Sequence, residues 1–121
     1  MTTLRYTFRP SLLHAERTVV ADDQGVSIEE ATSAKRRFAW AEVEEVHIEP
    51  ATAGDDGKRR WLLNLRFRGG EHIAVDSVNV RGTADFEHKT KEWQAVVGLV
   101  HRRLAGRQPP VRFRYGARRG I

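Results

Sequence analysis

Arginine and lysine side chains gather at three places in the chain, and at each place they could bind an anion. One cluster is Lys35, Arg36 and Arg37, and a second runs from residue 58 to residue 60. The third and largest comprises Arg102, Arg103, Arg107, Arg112, Arg114, Arg118 and Arg119. Arginines with Phe113 and Tyr115 between them could contact the phosphates of nucleic acid or of anionic lipid. The pattern therefore predicts contacts with anionic lipid, with nucleic acid or with a partner.

The positive charge is concentrated at the C-terminal end. The chain has a formal net charge of +5. Residues 1–101 contain 14 Lys or Arg against 16 Asp or Glu, whereas residues 102–121 contain seven arginines and no acid. Two simpler interpretations remain open. The arginines solubilise a frayed terminus, or, in the case of Arg102 and Arg103, they complement the dipole of a helix that ends there.

Side chains that usually carry catalysis or hold metals do not form a recognisable set. The chain has no cysteine, which excludes disulfides, zinc–thiolate sites and cysteine nucleophiles. Its histidines are His14, His47, His72, His88 and His101, and none has the spacing of a metal-binding pair. We expect His47 and His72 to face solvent from their strand positions. No metal, cofactor or catalytic residue is predicted, and we do not expect an enzyme.

A run of acidic residues is predicted to form a solvated face. It comprises Glu42, Glu44, Glu45 and Glu49, with Asp55 and Asp56 nearby. Paired carboxylates act as acids and bases only where their surroundings shift their pKa values, and the neighbouring sequence indicates no cleft. The remaining alternative for this run is a docking surface for a basic partner.

Short strands with alternating apolar residues account for most of the chain before residue 80. The clearest covers residues 60–68, where every second residue is large and apolar. Other predicted strands lie near 4–8, 16–21, 26–31, 36–40, 46–50 and 71–78. We expect Gly25 at positive φ in the turn from Asp22, and Gly69 and Gly70 in a tight hairpin. Residues 111–115 are predicted to form either a docked terminal strand or a disordered basic arm.

One long amphipathic helix is predicted over Ala84–Leu104, with Thr83 or Asp85 as its N-cap. Its apolar residues recur at a period near 3.6 and are Phe86, Trp93, Val96, Val97, Val100 and Leu104. Because the rest of the chain reads as strands, this apolar stripe must pack on a sheet.

Three stretches resemble bacterial pleckstrin-homology-like (PH-like) domains. They are the hairpin 17–28 with its Asp-x-Gly turn, the aromatic, acidic and Val/Ile segment 38–48, and the final helix. The resemblance covers about residues 4–106. It implies an α+β, mainly β fold, a bent antiparallel barrel of six to seven strands capped by one C-terminal amphipathic helix. The chain would then be a single PH-like domain, 1–106, followed by a basic tail, 107–121. The barrel interior would contain Trp61, Leu63, Leu65, Phe67, Ile73 and Val75, with Trp93 closing one end.

PH-like domains recognise lipids, peptides and proteins, so the resemblance leaves the function open. Phosphoinositide-binding members carry Lys and Arg around the first hairpin loop. Here that loop is Asp22–Gly25, which is acidic, and this charge disfavours phosphoinositide binding there. We therefore expect a non-enzymatic binding or assembly module whose partner is another protein or a second copy of the chain.

Two other functions remain as alternatives. One is weak electrostatic binding to anionic membrane lipid or nucleic acid through the Arg-rich tail. The other is an enzyme with a small pocket on the barrel, which is disfavoured because a small barrel is filled by its own side chains.

The apolar runs of the sequence bear on its location. The N-terminal segment lacks the apolar run of a secretory signal, and no stretch reaches the ~18 apolar residues of a transmembrane helix. We expect a cytoplasmic protein. Arginine outnumbers lysine 17 to 4, which is typical of a GC-rich bacterial genome.

Overall fold

A computed structural model describes residues 3–30, 33–51, 59–82, 85–107 and 110–116. This described part contains ten β-strands and one α-helix, which confirms the mainly β, α+β class. The strands are β1 (Leu4–Phe8), β2 (Arg17–Ala21), β3 (Gly25–Glu30), β4 (Ser33–Ala39), β5 (Val43–Ala51), β6 (Arg60–Phe67), β7 (His72–Asp76), β8 (Val78–Gly82), β9 (Asp85–His88) and β10 (Arg112–Tyr115). The helix α1 is Thr90–Leu104, and a short 3₁₀ turn, Trp40–Glu42, joins β4 to β5.

The strands form three open sheets within the described residues. Their orders are β1-β2-β3-β4, β10-β5-β6-β7 and β8-β9. Neighbouring strands are antiparallel except β10 and β5, which are parallel. None of the described sheets closes into the expected barrel. The strand count exceeds six to seven because β8, β9 and β10 add to the seven strands that the sequence pattern indicates.

The core lies where the two four-stranded sheets and the helix meet. On β6 the predicted alternation holds, because Leu63, Leu65 and Phe67 are all fully buried. The ring of Phe67 stacks on Phe38 of the first sheet, with ring centroids 3.9 Å apart. The remaining predicted interior residues, Trp61, Ile73, Val75 and Trp93, belong to the same apolar cluster, with Trp61 half-buried at its margin.

The helix begins six residues later than the sequence pattern predicts. Asp85–His88 instead forms β9, in which Phe86 pairs with a residue of β8. Lys89 stands at the N-cap, and Thr83 lies outside the described residues. A single apolar residue such as Phe86 fits a helical or a strand period equally well, so pairing with β8 decides its structure.

The predicted helix is correct from Thr90 to its end at Leu104. Its buried residues are Trp93, Val96, Leu99, Val100 and Leu104, of which only Leu99 was absent from the predicted stripe. The helix has 15 residues. No helix in the described ranges combines the length and the apolar character needed to cross a membrane.

The segment after the helix docks as a strand. The N–H of Gly116 donates a hydrogen bond to the C=O of Ile48 at 2.9 Å, continuing the parallel pairing of β10 with β5. The ring of Phe113 stacks on His101 of α1, with centroids 5.1 Å apart. Of the two alternatives for this segment, the docked strand is the one observed for residues 112–115.

Asp22 stabilises the turn between β2 and β3. Its Oδ1 accepts hydrogen bonds from the N–H groups of Gln24 at 2.8 Å and Gly25 at 3.0 Å. The guanidinium of Arg37 lies 3.3 Å from the same oxygen. Gly25 does not have the positive φ that we expected. Glycine is required because a Cβ there would lie 2.2 Å from the carbonyl oxygen of Phe38.

Replacing Asp22 with asparagine should remove an acid-sensitive part of the stability. Hydrogen bonds from Gln24 and Gly25, and then the charge of Arg37, lower the pKa of Asp22 below its ordinary value of 3.8. A carboxylate with a lowered pKa stabilises the fold above its unfolded-state pKa, and this contribution is lost as the pH falls through the folded-state pKa. The difference in unfolding free energy between wild type and Asp22→Asn should be constant above about pH 5 and shrink below about pH 4. Urea denaturation across this range measures it, and a constant difference throughout would contradict it.

Candidate functional site

One face of the second sheet carries a row of charged side chains that runs across its strands. The register aligns Arg112 of β10 with Glu45 of β5, Glu45 with Arg66 of β6, and Arg66 with His72 of β7. Every second residue of a strand lies on the same face of its sheet. The neighbours of Glu45 and Arg66 along their strands, Val46 and Leu65, are therefore on the opposite face, in the core. We call the charged side of this sheet the outer face.

Glu45 is held between two arginines on the outer face. Its Oε1 accepts a hydrogen bond from Nη1 of Arg114 at 3.1 Å, and its Oε2 lies 3.2 Å from Nη2 of Arg66. The residue is only 8% exposed, so the expectation of a solvated acidic face is wrong at this position. Among the other acids of that run, Glu42 and Glu44 are exposed, Glu49 is half-buried, and Asp55 and Asp56 lie outside the described residues.

His47 is buried beside this ion-pair network. Its Nε2 donates a hydrogen bond to the C=O of Gly116 at 2.9 Å, and the residue is 5% exposed. The expectation that His47 faces solvent is therefore wrong, because the segment that follows β10 covers it. His72, for which the same expectation was made, is exposed.

Two open grooves lie on the outer face. The first, the polar groove, has a volume of about 320 Å³. Its polar lining comprises Glu45, His47, Asn64, Arg66, His72 and Arg114. The second, the arginine groove, has a volume of about 310 Å³. Its lining comprises Glu44, Arg66, Arg68, Arg107, Pro110 and Arg112. Because Arg66 lines both, the two grooves adjoin.

The arginine groove carries an uncompensated positive charge. Four arginines line it against one carboxylate, that of Glu44. Arg68 and Arg112 are exposed and have no carboxylate partner among the described residues. Arg107 donates from Nη1 to the C=O of Trp40 at 2.5 Å, a neutral acceptor that leaves its charge in place. The groove is thus electrostatically suited to carboxylate or phosphate groups.

The structure regroups the arginines that the sequence placed together. Arg107 and Arg112 line the arginine groove, and Arg114 lines the polar groove. Arg66 and Arg68 were not predicted as site residues. Their signal in the sequence is the alternation of arginines on the polar face of β6, which becomes informative only when β10 is known to lie two strands away.

The other predicted contacts lie elsewhere. Lys35, Arg36 and Arg37 are exposed on β4, an edge strand of the first sheet, where Lys35 pairs with Glu29 at 3.2 Å. Arg102 is exposed and Arg103 half-buried in the last turn of α1, and neither lines a groove described above. Arg118 and Arg119 lie outside the described residues.

The short cluster at residues 58–60 has a structural role at Arg60. Its Nε donates to both carboxylate oxygens of Asp76 at 2.9 Å, and its Nη2 also contacts Asp76. The same Nη2 donates to the C=O of Pro10 at 2.9 Å. Hydrogen bonding to Asp76 raises the pKa of Arg60. This pair joins β6 to β7 and to the loop after β1, far along β6 from the arginine groove.

The described residues contain no cluster of three or more His, Asp or Glu side chains that could hold a metal ion. The His101 ring contacts Tyr115, and this contact orients β10 against α1. Nδ1 of His101 donates to the C=O of Val97 at 2.9 Å, so its Nε2 accepts the hydrogen bond from the Tyr115 hydroxyl at 2.6 Å. His101 thereby couples α1 to β10.

The acidic turn Asp22–Gly25 belongs to the second hairpin, which pairs β2 with β3. The first hairpin pairs β1 with β2, and its loop covers residues 9–16. The charge of Asp22–Gly25 therefore does not describe the first hairpin loop.

No protein-family model matches the chain, and no curated protein matches it at a significant level. Among solved structures, the chain is similar to the hSac2 domain from the human phosphoinositide phosphatase Sac2. The superposition has a TM-score of 0.56 at 11% sequence identity and covers 100% of this chain and 78% of that chain. At this identity the likeness concerns the fold alone.

Proposed function

We propose that this protein is a non-enzymatic binding module that docks an acidic surface of a partner protein in the arginine groove. The observation that carries the proposal is the set of three arginines, Arg68, Arg107 and Arg112, that border one groove without a carboxylate partner among the described residues. Surface arginines of this kind pair with carboxylates in a planar, two-pronged geometry, which gives orientation as well as attraction.

The lining of the groove favours a protein partner over the other anions considered. Its described lining contains no aromatic side chain on which a nucleic-acid base could stack. It also contains no large apolar side chain that could enter a bilayer, since Pro110 is its one apolar residue. Carboxylates of a protein surface need neither feature.

We also propose that the fold is that of a PH-like domain. The order of two successive antiparallel sheets followed by one helix supports a PH-like domain, in which β8–β9 and β10 are additions. A cytoplasmic location stays a prediction from the sequence.

Reversing the charges of Arg68 and Arg112 should weaken binding to an acidic probe. With a fluorescein-labelled polyglutamate peptide at low salt, we expect the double variant Arg68→Glu, Arg112→Glu to lose affinity by about a hundredfold, tenfold per residue. Fluorescence anisotropy measures the dissociation constant, and increasing salt should weaken wild-type binding.

The matched control changes the same charge at another place. Arg36 and Arg102 are exposed, have no carboxylate partner among the described residues and lie outside the groove. Arg36→Glu combined with Arg102→Glu should change affinity by less than about threefold. An equal loss of affinity in both double variants would show that net charge, and not the arginine groove, determines binding. Tighter binding to anionic vesicles or to an oligonucleotide than to the peptide would instead favour the lipid or nucleic-acid alternative.

A further inference from the structure

The free edge of β10 adjoins the arginine groove. We propose that the partner contributes an extended segment with alternating acidic and apolar residues, which adds to this edge as a fifth strand of the sheet. The inference rests on the proposed function and specifies the conformation and the sequence pattern of the partner.

Along the edge of β10 that points away from β5, backbone N–H and C=O groups have no strand partner among the described residues. In a parallel pair, alternate residues of a strand direct their N–H and C=O groups to the partner strand. Because the N–H of Gly116 bonds to Ile48 of β5, the residues that face β5 are Gly116, Arg114 and Arg112. The N–H and C=O groups of Phe113 and Tyr115 therefore point away from β5. No other described strand pairs with that edge, so it is open to β-strand addition.

The two faces of β10 differ in chemistry. Arg112 and Arg114 lie on the outer face and line the two grooves. Phe113 and Tyr115 lie on the side of α1, and both rings stack on His101. Tyr115 is 63% exposed, which leaves apolar ring surface beside the open edge.

An incoming strand would place its own alternate residues beside these two faces. Residues two apart on a strand are about 7 Å apart, and residues that face each other across a pair interact directly. Acidic residues at alternate positions would thus pair with Arg112 and Arg114. The residues between them would cover the rings of Phe113 and Tyr115. The complementary pattern is acidic–apolar–acidic.

A second copy of β10 is a poor occupant of this edge. An identical strand would bring its own arginines beside Arg112 and Arg114, and like charges that face each other in a sheet are destabilising. The same charges protect the edge from self-pairing in the free protein. The edge is therefore selective for a segment of opposite charge.

Two peptides of equal composition test the pattern on the full chain. One alternates glutamate with valine, and the other has the same residues with its glutamates in one block. We expect the alternating peptide to bind about tenfold more tightly in fluorescence anisotropy. In hydrogen exchange measured by NMR, it should protect the amides of Phe113 and Tyr115, whereas the blocked peptide should not.

A pair of variants at one position isolates the backbone contact. Tyr115→Pro removes an N–H that points to the open edge and leaves the bonds to β5 intact, while Tyr115→Ala removes the same ring and keeps that N–H. We expect Tyr115→Pro to bind the alternating peptide about fivefold more weakly than Tyr115→Ala. Amide exchange at Gly116 verifies that β10 stays docked in both variants.

The outcomes separate this inference from the proposed function. If both peptides bind equally, and the Arg68 and Arg112 reversals weaken both, the groove binds acidic partners but strand addition is wrong. Equal affinity of the two Tyr115 variants for the alternating peptide would likewise overturn strand addition. If neither peptide binds the wild-type chain, the proposed function itself fails.

Discussion

Replacing Asp76 with alanine is expected to lower the free energy of unfolding by about 3 kcal/mol. Asp76 is 3% exposed, and its carboxylate holds the Arg60 guanidinium and the N–H of Val78, the latter at 3.0 Å. The substitution leaves both donors without their partner at a buried junction of β6, β7 and β8. Water reaches part of Arg60, whose side chain is 24% exposed, so the loss lies at the low end of the range for broken buried ion pairs.

An exposed ion pair provides the control for this prediction. Asp85 lies 3.3 Å from Arg81, and both side chains are 56% exposed. Asp85→Ala should therefore change the unfolding free energy by less than about 1 kcal/mol. Urea denaturation of the two variants compares them directly. Equal midpoints for Asp76→Ala and Asp85→Ala would show that burial adds nothing to the Arg60–Asp76 pair.

Replacing Trp93 with alanine is expected to cost about 3–5 kcal/mol of stability. Trp93 is 5% exposed at the start of α1, and its ring packs near Trp61, with centroids 6.4 Å apart. Its Nε1 donates a hydrogen bond to the C=O of Val75 at 3.0 Å. Alanine would leave a cavity between α1 and β7 and would leave the C=O of Val75 without its donor. The expected loss is a large part of the ~5–15 kcal/mol net stability of a typical domain.

Two further substitutions resolve this cost into its parts. Gln94→Ala, at the next and exposed position of α1, should stay within about 0.5 kcal/mol of wild type. Trp93→Phe fills part of the cavity without the N–H donor, and its thermal midpoint should lie between those of wild type and Trp93→Ala. A Trp93→Ala protein as stable as Gln94→Ala would contradict the assigned role of this residue in the core.

The stability and binding predictions can be tested independently. Arg60 and Arg66 are separated along β6 by about 20 Å, at ~3.3 Å per residue. Substitutions this far apart, without shared contacts, have additive effects. Asp76→Ala should therefore lower the folded fraction without changing the affinity of folded molecules for an acidic peptide. Reversal of Arg68 and Arg112 should instead lower the affinity of folded molecules for that peptide.

Local sequence patterns correctly predicted the elements whose apolar residues recur at a regular period. The alternation through Leu63, Leu65 and Phe67 predicted β6, and the 3.6-residue repeat after Trp93 predicted the C-terminal part of α1. Gly69 and Gly70, with φ of 93° and 92°, form the hairpin turn expected of them. Both signals are local, because the apolar period and the backbone freedom of glycine depend only on residues that are close together in the sequence.

Local patterns failed where a distant segment changes the environment. Phe86 belongs to β9 because β8 pairs with it. Glu45 and His47 are buried because arginines of two other strands and the segment after β10 cover them. Gly25 is needed for the approach of β4, not for a positive φ.

Composition and apolar periodicity were enough to predict that the chain is mainly β with one amphipathic helix and that its excess charge is arginine near the C-terminus. The sequence grouped those arginines by their order along the chain. Only the tertiary structure joined Arg107 and Arg112 to Arg66 and Arg68 in one groove and separated them from Arg102 and Arg103. The cause is the docking of β10, whose backbone hydrogen-bonds to β5 and whose two aromatic rings pack on His101 of α1. That choice of strand depends on the whole fold, whereas charge and periodicity depend only on neighbours.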